Sequence, residues 1–466
     1  MASIVQKKNR YYVVYLYDTE DGQRKQKWES FKTKDEAKRR KAEIEYRQEL
    51  GSLVIPKCKT VEELLKEYVS LYGKNTWSMS MYEGSTGLIN NYITPIIGTM
   101  KLSDVTPRVL EKYYMSLLQT KAVVRCTDKQ YTKRETPGKR ESFVTPGTVR
   151  RVHKLLNSAF TQAMKWELIE KNPAQLATVP KAEKKVRAIW DADTLFHAIE
   201  VCEDERLKMA INLSFSCSLR IGELLGLTWD CVDVSEESLA EGKASIFVNK
   251  ELQRVRKSTM KTLEKKDILC VFPEQVSDST TVLVLKKPKT LTSTRRVYLP
   301  KTVAEMLIDW KKDQDLAKEE LGDEYHDYQL VLAGPFGTPM ESSRISTLFN
   351  QLIKEHDLPK VVFHSLRHSS ITYKLKLNGG DVKSVQGDSG HAQAKMVTDQ
   401  YSHILDEDRK NNAQIFEDVF YQKKTPGQIA AEQAGQSAGI DPELLMKVLT
   451  NPEMAKLLKA LAGTIE

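Results

Sequence analysis

Three proline-bearing linkers punctuate the 466 residues: 51–59 with Pro56, the charged 179–188 with Pro180, and 422–427 with Pro426. Each interrupts the apolar patterning on both sides of it, so one continuous core is excluded and the pieces between must bury their own faces. A chain of this length supports two to four domains, and at 40% hydrophobic residues it has the material for real cores. The segments set four expected regions: 1–55, 57–178, 186–421 and 422–466.

The first region reads as small α+β. Tyr11 to Tyr17 is a β-rich run, Asp18 to Gly22 a turn, and Gln23 to Phe31 a second strand carrying Arg24, Lys25 and Lys27. Thr33 and Glu36 form a capping box that opens a helix running to about Leu50, with Lys38, Arg39, Arg40 and Lys41 on it. A sheet of two or three strands plus one helix buries little. Its basic strands therefore suit insertion into a DNA groove, the plainer alternative being a solvated basic face.

The second region is helical. Val61, Leu64, Leu65, Tyr68, Val69 and Tyr72 share one face, and further helices are expected at 79–96 and 106–119, the latter opened by Thr106-Pro107. Residues 121–145 are polar and basic with Pro137-Gly138, which predicts a mobile loop or a β-hairpin. From Pro146 an amphipathic helix turns Val149, Val152, Leu155, Leu156, Ala159, Phe160 and Ala163 inward and Arg150, Arg151 and Lys154 outward, stopping before Asn172-Pro173. That basic face could lie on a phosphate backbone.

In the third region, helices are expected near Asp191 and after Glu205. Strands are expected at Ala244–Gln253, Thr281–Lys287 and Arg295–Leu299, with a basic insertion at 254–280 and helices at 301–320 and 341–356. Arg220 and Glu223 stand three apart between apolar residues. A buried charge costs several kcal/mol unless paired, so either the two pair for structure or Arg220 points at an anion and Glu223 orients it. Residues 360–403 then gather His364, Arg367, His368, His391, Tyr401 and His403, half of the chain's eight histidines. Such a cluster suits a site that handles protons and an anion. In the last region, Asp441-Pro442-Glu443 and Asn451-Pro452-Glu453 each open a short amphipathic helix whose leucines fit docking on a domain or subunit better than a membrane.

The net charge of +8 favours polyanion partners, though it also fits a basic protein with no special partner. Six scattered cysteines, with no metal-ligand spacing, read as reduced thiols rather than disulfides or a metal site. Residues 1–18 lack the apolar core of a signal peptide, and no run is long enough to cross a bilayer. A cytoplasmic protein is expected.

Four of these motifs, in order, resemble the tyrosine recombinases of the phage-integrase type, nearest to integrases of phages and conjugative transposons. Ser218-Leu219-Arg220-Ile221-Gly222-Glu223 resembles the first arginine box. Pro288-Lys289-Thr290, ahead of a turn and Arg295 to Pro300, resembles the hairpin lysine, with Lys286 and Lys287 close enough to be confused with it. His364 to His368 resembles the H-x-x-R box, and Gly390-His391 followed by Tyr401-Ser402-His403 the terminal box. The chain departs from many members in having Cys217-Ser218 for Thr-Gly and Ser389-Gly390-His391 for Leu-Gly-His.

The resemblance implies an arm-binding domain at 1–55, an all-α core-binding domain at 57–178, and a mainly α catalytic domain with a small antiparallel sheet at 186–421, followed by a helical tail. It implies a catalytic set of Arg220, Lys289, His364, Arg367, His391 and the nucleophile Tyr401, supported by Glu223, His368 and His403, with DNA contacts from Arg24, Lys25, Lys27, Arg150, Arg151 and Lys154. The chemistry agrees. Two guanidiniums give fixed, bidentate donors for phosphate oxygens. A phenol of pKa about 10 needs cations and a base, for which His364 is placed. A lysine in a cationic pocket can protonate the leaving 5′-oxygen. No acidic metal-ligand cluster and no P-loop accompany these groups, so neither metal nor nucleotide cofactor is expected.

Partners implied are double-stranded DNA at core and arm sites, three further copies in a tetramer, an excisionase and a host DNA-bending protein. Localisation would then be with the bacterial nucleoid. The alternatives are type IB topoisomerase-like cleavage and religation, a non-cleaving DNA-binding protein on the same fold, and a small-substrate phosphohydrolase.

Overall fold

The computed structural model describes residues 2–18, 24–49, 59–123, 139–181, 188–265, 267–274, 278–288, 291–390, 393–394 and 397–398. The chain divides into two compact units, 1–186 with 254–284, and 187–253 with 285 onward.

In the first unit, strands Ser3–Lys7, Arg10–Asp18 and Arg24–Phe31 form an antiparallel sheet in sequence order, registered by Ser3↔Val14 and Tyr11↔Phe31. Strand alternation sends Val13 and Tyr15 to one side, where they pack with Ala2, Ala37 and Ile44 under the helix Lys34–Glu49. The expected capping box opens that helix: the Glu36 amide donates to the Thr33 hydroxyl at 3.3 Å, and the Thr33 amide donates back to the Glu36 carboxylate at 3.3 Å. The opposite side of the sheet leaves Trp28 and Leu16 exposed.

Helices Val61–Glu67, Met79–Leu88, Pro107–Leu118 and Pro146–Lys165 enclose a separate core. Every inward residue expected on Pro146–Lys165 is buried there. The helix ends before Asn172, whose buried amide donates to the Asn157 carbonyl at 3.0 Å and to the Thr161 hydroxyl at 2.9 Å, fixing the turn. Of the stretch 121–145, the described parts Lys121–Val123 and Lys139–Phe143 pair antiparallel, the hairpin form of the expectation.

Two expectations are corrected. Ala244–Gln253 is not one strand: the chain breaks at Asn249-Lys250 into Ser245–Val248 and Glu251–Arg256, which belong to different sheets. The Lys250 amine turns aside to Asp230 at 2.7 Å and to Thr228 at 2.6 Å. Nor is 254–280 a bare insertion. It carries the helix Lys257–Thr262 and the strand Ile268–Val271, and the latter flanks Thr281–Lys286 in a sheet with Glu251–Arg256 on the other side. Val255, Leu263, Val282 and Val284 share a small core with Met79, and the Arg256 amide donates to Glu83 at 2.9 Å.

In the second unit the helix Glu205–Ser216 is central. It packs against Ala192–Glu200, Ile221–Leu225, Lys301–Leu321, Ser342–Glu355 and His364–Leu377. A small antiparallel sheet, ordered Arg295–Tyr298, Ser245–Val248, Val232–Asp233, lies in the same unit. The helix Val382–Ser389 packs on His364–Leu377 and on the strand Arg295–Tyr298. This matches a mainly helical region with a small sheet. The expected tail helices lie outside the described residues. Among the described residues, no helix is long and apolar enough to cross a membrane.

Candidate active site

The site is built around one buried carboxylate. Arg220 precedes the helix Ile221–Leu225, and Glu223 sits at its third position, where it accepts the Arg220 backbone N–H at 3.0 Å. That contact is half of a capping box and satisfies an otherwise orphaned helical donor. The same carboxylate takes the Arg220 guanidinium at 2.6 Å, the Arg295 guanidinium at 3.0 and 3.3 Å, and lies 4.0 Å from the Arg367 guanidinium. Burial alone would push the Glu223 carboxyl up. The Arg295 charge and its hydrogen bond, then Arg220, outweigh that and hold it below the usual carboxylate range.

The two arginines expected from sequence are thus brought to one carboxylate across 147 positions, but they are not equivalent. Arg220 keeps 35% of its side chain exposed and donates through Nη2 to the Gly390 carbonyl at 3.2 Å. Arg367 is 1% exposed and donates to the carbonyls of Ser218 and Ser389. The Ser218 carbonyl is aimed by a left-handed backbone, φ 52°, held by its hydroxyl against that of Ser370 at 2.7 Å. That conformation favours glycine, so Ser218 holds a backbone geometry that costs a side-chain-bearing residue. Gly390 has φ 62° and caps the helix Val382–Ser389; a Cβ there would meet Arg295 Nη1 at 2.9 Å.

His364 opens the helix His364–Leu377, and the i, i+3, i+4 spacing puts Arg367 and His368 on the same face. The His364 and His368 rings meet edge to face at 4.9 Å. His368 is buried and His364 half-buried. Lys289, His391, Tyr401 and His403 lie outside the described residues. Of the two lysines near Lys289, Lys286 is buried and ion-paired to Glu251 at 2.9 Å, and Lys287 is exposed.

Arg150, Arg151 and Lys154 are exposed on their helix, as expected. In the arm sheet, Lys27 pairs across from Tyr15 and approaches Glu29 at 3.6 Å, so it stands on the helix side of the strand, and Lys25 shares its phase. The open side instead carries Trp28, with Lys7 at 4.8 Å from its ring and Tyr12 edge-on at 6.0 Å. Arg24 opens its strand opposite Asp18.

Arg295 is not among the expected residues. Its signal is nonetheless present in the sequence: in Arg295-Arg296-Val297-Tyr298-Leu299 the alternation sends Val297 and Leu299 inward, and Arg295 shares their phase. An inward arginine on a strand is the same anomaly that singles out Arg220.

Comparison with known proteins gives a consistent family. Residues 189–408 match the phage integrase family, 60–118 the phage integrase N-terminal SAM-like domain, and 3–47 an arm DNA-binding domain. A XerC-like tyrosine recombinase of Caldanaerobacter subterraneus is 25% identical over 283 residues, 59% of this chain and 66% of that protein. The ICEBs1 integrase of Bacillus subtilis is 22% identical over 316 residues, 66% of this chain and 77% of that protein. The chain thus spans just under two thirds of the first and about three quarters of the second. Among solved structures, the integrase of transposon Tn1549 in complex with a circular-intermediate DNA is similar in fold. Its TM-score is 0.56 at 18% identity, covering 77% of this chain and 99% of that one. Three family models, matched in the order arm, SAM-like and catalytic, place the chain in the phage integrase family of tyrosine recombinases, enzymes that cut and rejoin DNA.

Proposed function

We propose that the chain is the integrase of a mobile element, carrying it into and out of DNA at specific sites through a phosphotyrosyl intermediate. Tyr401 attacks a scissile phosphate in line, the phosphorus–5′-oxygen bond breaks, and a 3′-phosphotyrosyl link and a free 5′-hydroxyl result. That hydroxyl then attacks the equivalent link on a partner duplex and releases Tyr401. Four copies act two strands at a time through a Holliday junction. Region 57–178 and the catalytic region hold the crossover site, and 1–55 holds arm sites. An excisionase and a DNA-bending host protein assist, and the protein works on the nucleoid.

The observation that carries this reading is the cluster on Glu223. Three guanidiniums converge on one buried carboxylate, one of them with its outer edge exposed. Such a site holds an excess of fixed positive charge where little water can reorganise, the condition for stabilising charge that develops on phosphoryl oxygens. Arg220 would touch those oxygens, with Arg367 adding its charge from behind. Lys289 would protonate the departing oxygen, His364 would accept the tyrosine proton, and His391 would donate to the phosphate. The relatives' names, an integrase of ICEBs1 and a transposon integrase on circular-intermediate DNA, favour a mobile element.

The test is to trap protein covalently joined to DNA in cells, sequence the fragments, and compare with Tyr401→Phe. Adducts at one or two discrete sequences, absent from the variant, are expected. Adducts without sequence preference would favour topoisomerase-like religation, and none from the wild type with binding intact would favour a non-cleaving DNA-binding protein.

A further inference from the structure

Arg295 is 8% exposed, and its donors are directed inward. Nε donates to the Asp388 carbonyl at 2.6 Å, and Nη1 to the Ser293 carbonyl at 2.9 Å and to Glu223 at 3.3 Å. Nη2 donates to the other Glu223 oxygen at 3.0 Å. One planar fork thus joins the short helical turn Leu291–Ser293, the carboxylate that grips Arg220, and the last turn of Val382–Ser389, after which Gly390 caps the helix against this same guanidinium.

We infer that Arg295 is a positioning residue for strand cleavage: it fixes Glu223, and through Glu223 the exposed guanidinium of Arg220, at the place where the scissile phosphate binds. The inference rests on the recombinase reading above and adds to it a residue outside the expected catalytic set. Arg295 is not itself a phosphate ligand, because the contacts it makes are spent on carboxylate and main-chain oxygens. Removing it takes away both Arg295 contacts to Glu223, leaves the carboxylate held at close range only by the amide and guanidinium of Arg220, and releases the Asp388 carbonyl. Arginine is required rather than any cation. A lysine presents its donors from one point and cannot span a carboxylate and two separate carbonyls.

The experiment is single-turnover cleavage of a duplex carrying one crossover site, by the full chain, with the scissile phosphate either native or replaced by a methylphosphonate. The methylphosphonate lacks one negative charge, so a lesion acting through the arginine grip matters less on it. Arg295→Gln should cleave the native site about 10–100-fold more slowly than wild type, the range for a residue that orients a first ligand, at unchanged affinity for the site. Its deficit should shrink on the methylphosphonate, as that of Arg220→Gln should. Arg295→Lys should fall between Arg295→Gln and wild type, and it supplies the same ratio if Arg295→Gln does not fold by thermal melting. Equal deficits on both substrates, or cleavage at the wild-type rate, would overturn the role. If wild type forms no phosphotyrosyl adduct on either substrate, the recombinase reading itself fails and this inference with it. Wild-type cleavage with indifferent Arg295 variants sinks the inference alone.

Discussion

Two carboxylates in this chain do the same thing in different surroundings. Glu29 in the arm sheet takes Arg40 at 2.8 Å, Lys27 at 3.6 Å and the Tyr15 hydroxyl at 2.6 Å. Glu223 takes Arg220, Arg295 and, more distantly, Arg367. The charged groups at Glu29 are partly open to water, Arg40 at 32%, although Tyr15 is buried, whereas Arg295, Arg367 and Glu223 are sealed. At the open site water screens each charge, and the ion pairs do little more than tie helix to sheet. At the sealed one the cations are costly without their carboxylate, and their alignment cannot be replaced by solvent. The first cluster is built for cohesion, the second for holding charge in place.

The sharpest way to break this contrast is Glu223→Gln. Removing the charge that three guanidiniums share should cost about 3–5 kcal/mol, read by denaturant unfolding, with cleavage lost as well. Gly390→Ala comes next: a left-handed residue forced against Arg295 should cost on the order of 1–3 kcal/mol, and melting and cleavage should fall together. Acid titration separates the clusters further. Burial pushes both carboxyls up, but Arg295 and Arg220 at Glu223, and Arg40 and Tyr15 at Glu29, bring both below their ordinary value. Each therefore adds stability that is fully present above the unfolded carboxyl pKa of about 4.3 and is lost as pH falls through the folded value. Stability measured against pH should drop in that acid window, and the drop should be shallower in Glu223→Gln than in wild type. The smallest effect is Glu29→Gln, about 0–1 kcal/mol, visible as faster hydrogen exchange in the strand Arg10–Asp18 with cleavage unchanged. A larger loss there would erase the distinction drawn above.

Periodicity alone makes part of the fold and site legible in the sequence. The seven inward residues of Pro146–Lys165 follow from a 3.6-residue repeat sustained over five turns, and the Arg220–Glu223 anomaly stands out as charge among apolar neighbours. Local patterning fails where the decision is not local. In Ala244 to Gln253 one turn-favouring residue, Asn249, marks the break, but which sheet each half joins depends on partners from elsewhere in the chain, as the Lys250 contacts to Asp230 and Thr228 do. Charge alone points to Arg24, Lys25 and Lys27, while strand phase puts the exposed Lys25 and the half-buried Lys27 on the side of Val13 and Tyr15 and Trp28 on the other. Arg295 hides behind Arg296: two adjacent arginines look alike in a sequence, and only strand alternation separates the buried one from the exposed one.

The excursion at 254–284 leaves along Glu251–Arg256 and returns along Thr281–Lys286, and those two strands are neighbours in one sheet. Its two ends therefore stand side by side, so a segment of any length could be spliced in or out there without moving the strands that carry it. What resists such exchange is Met79 with Tyr82, whose apolar surface is covered by Val255, Leu263, Val282 and Val284. A hybrid recombinase that swapped the excursion alone would expose that surface. In any exchange between chains, the excursion and the helix Met79–Leu88 would have to travel together, though about 170 residues of sequence lie between them.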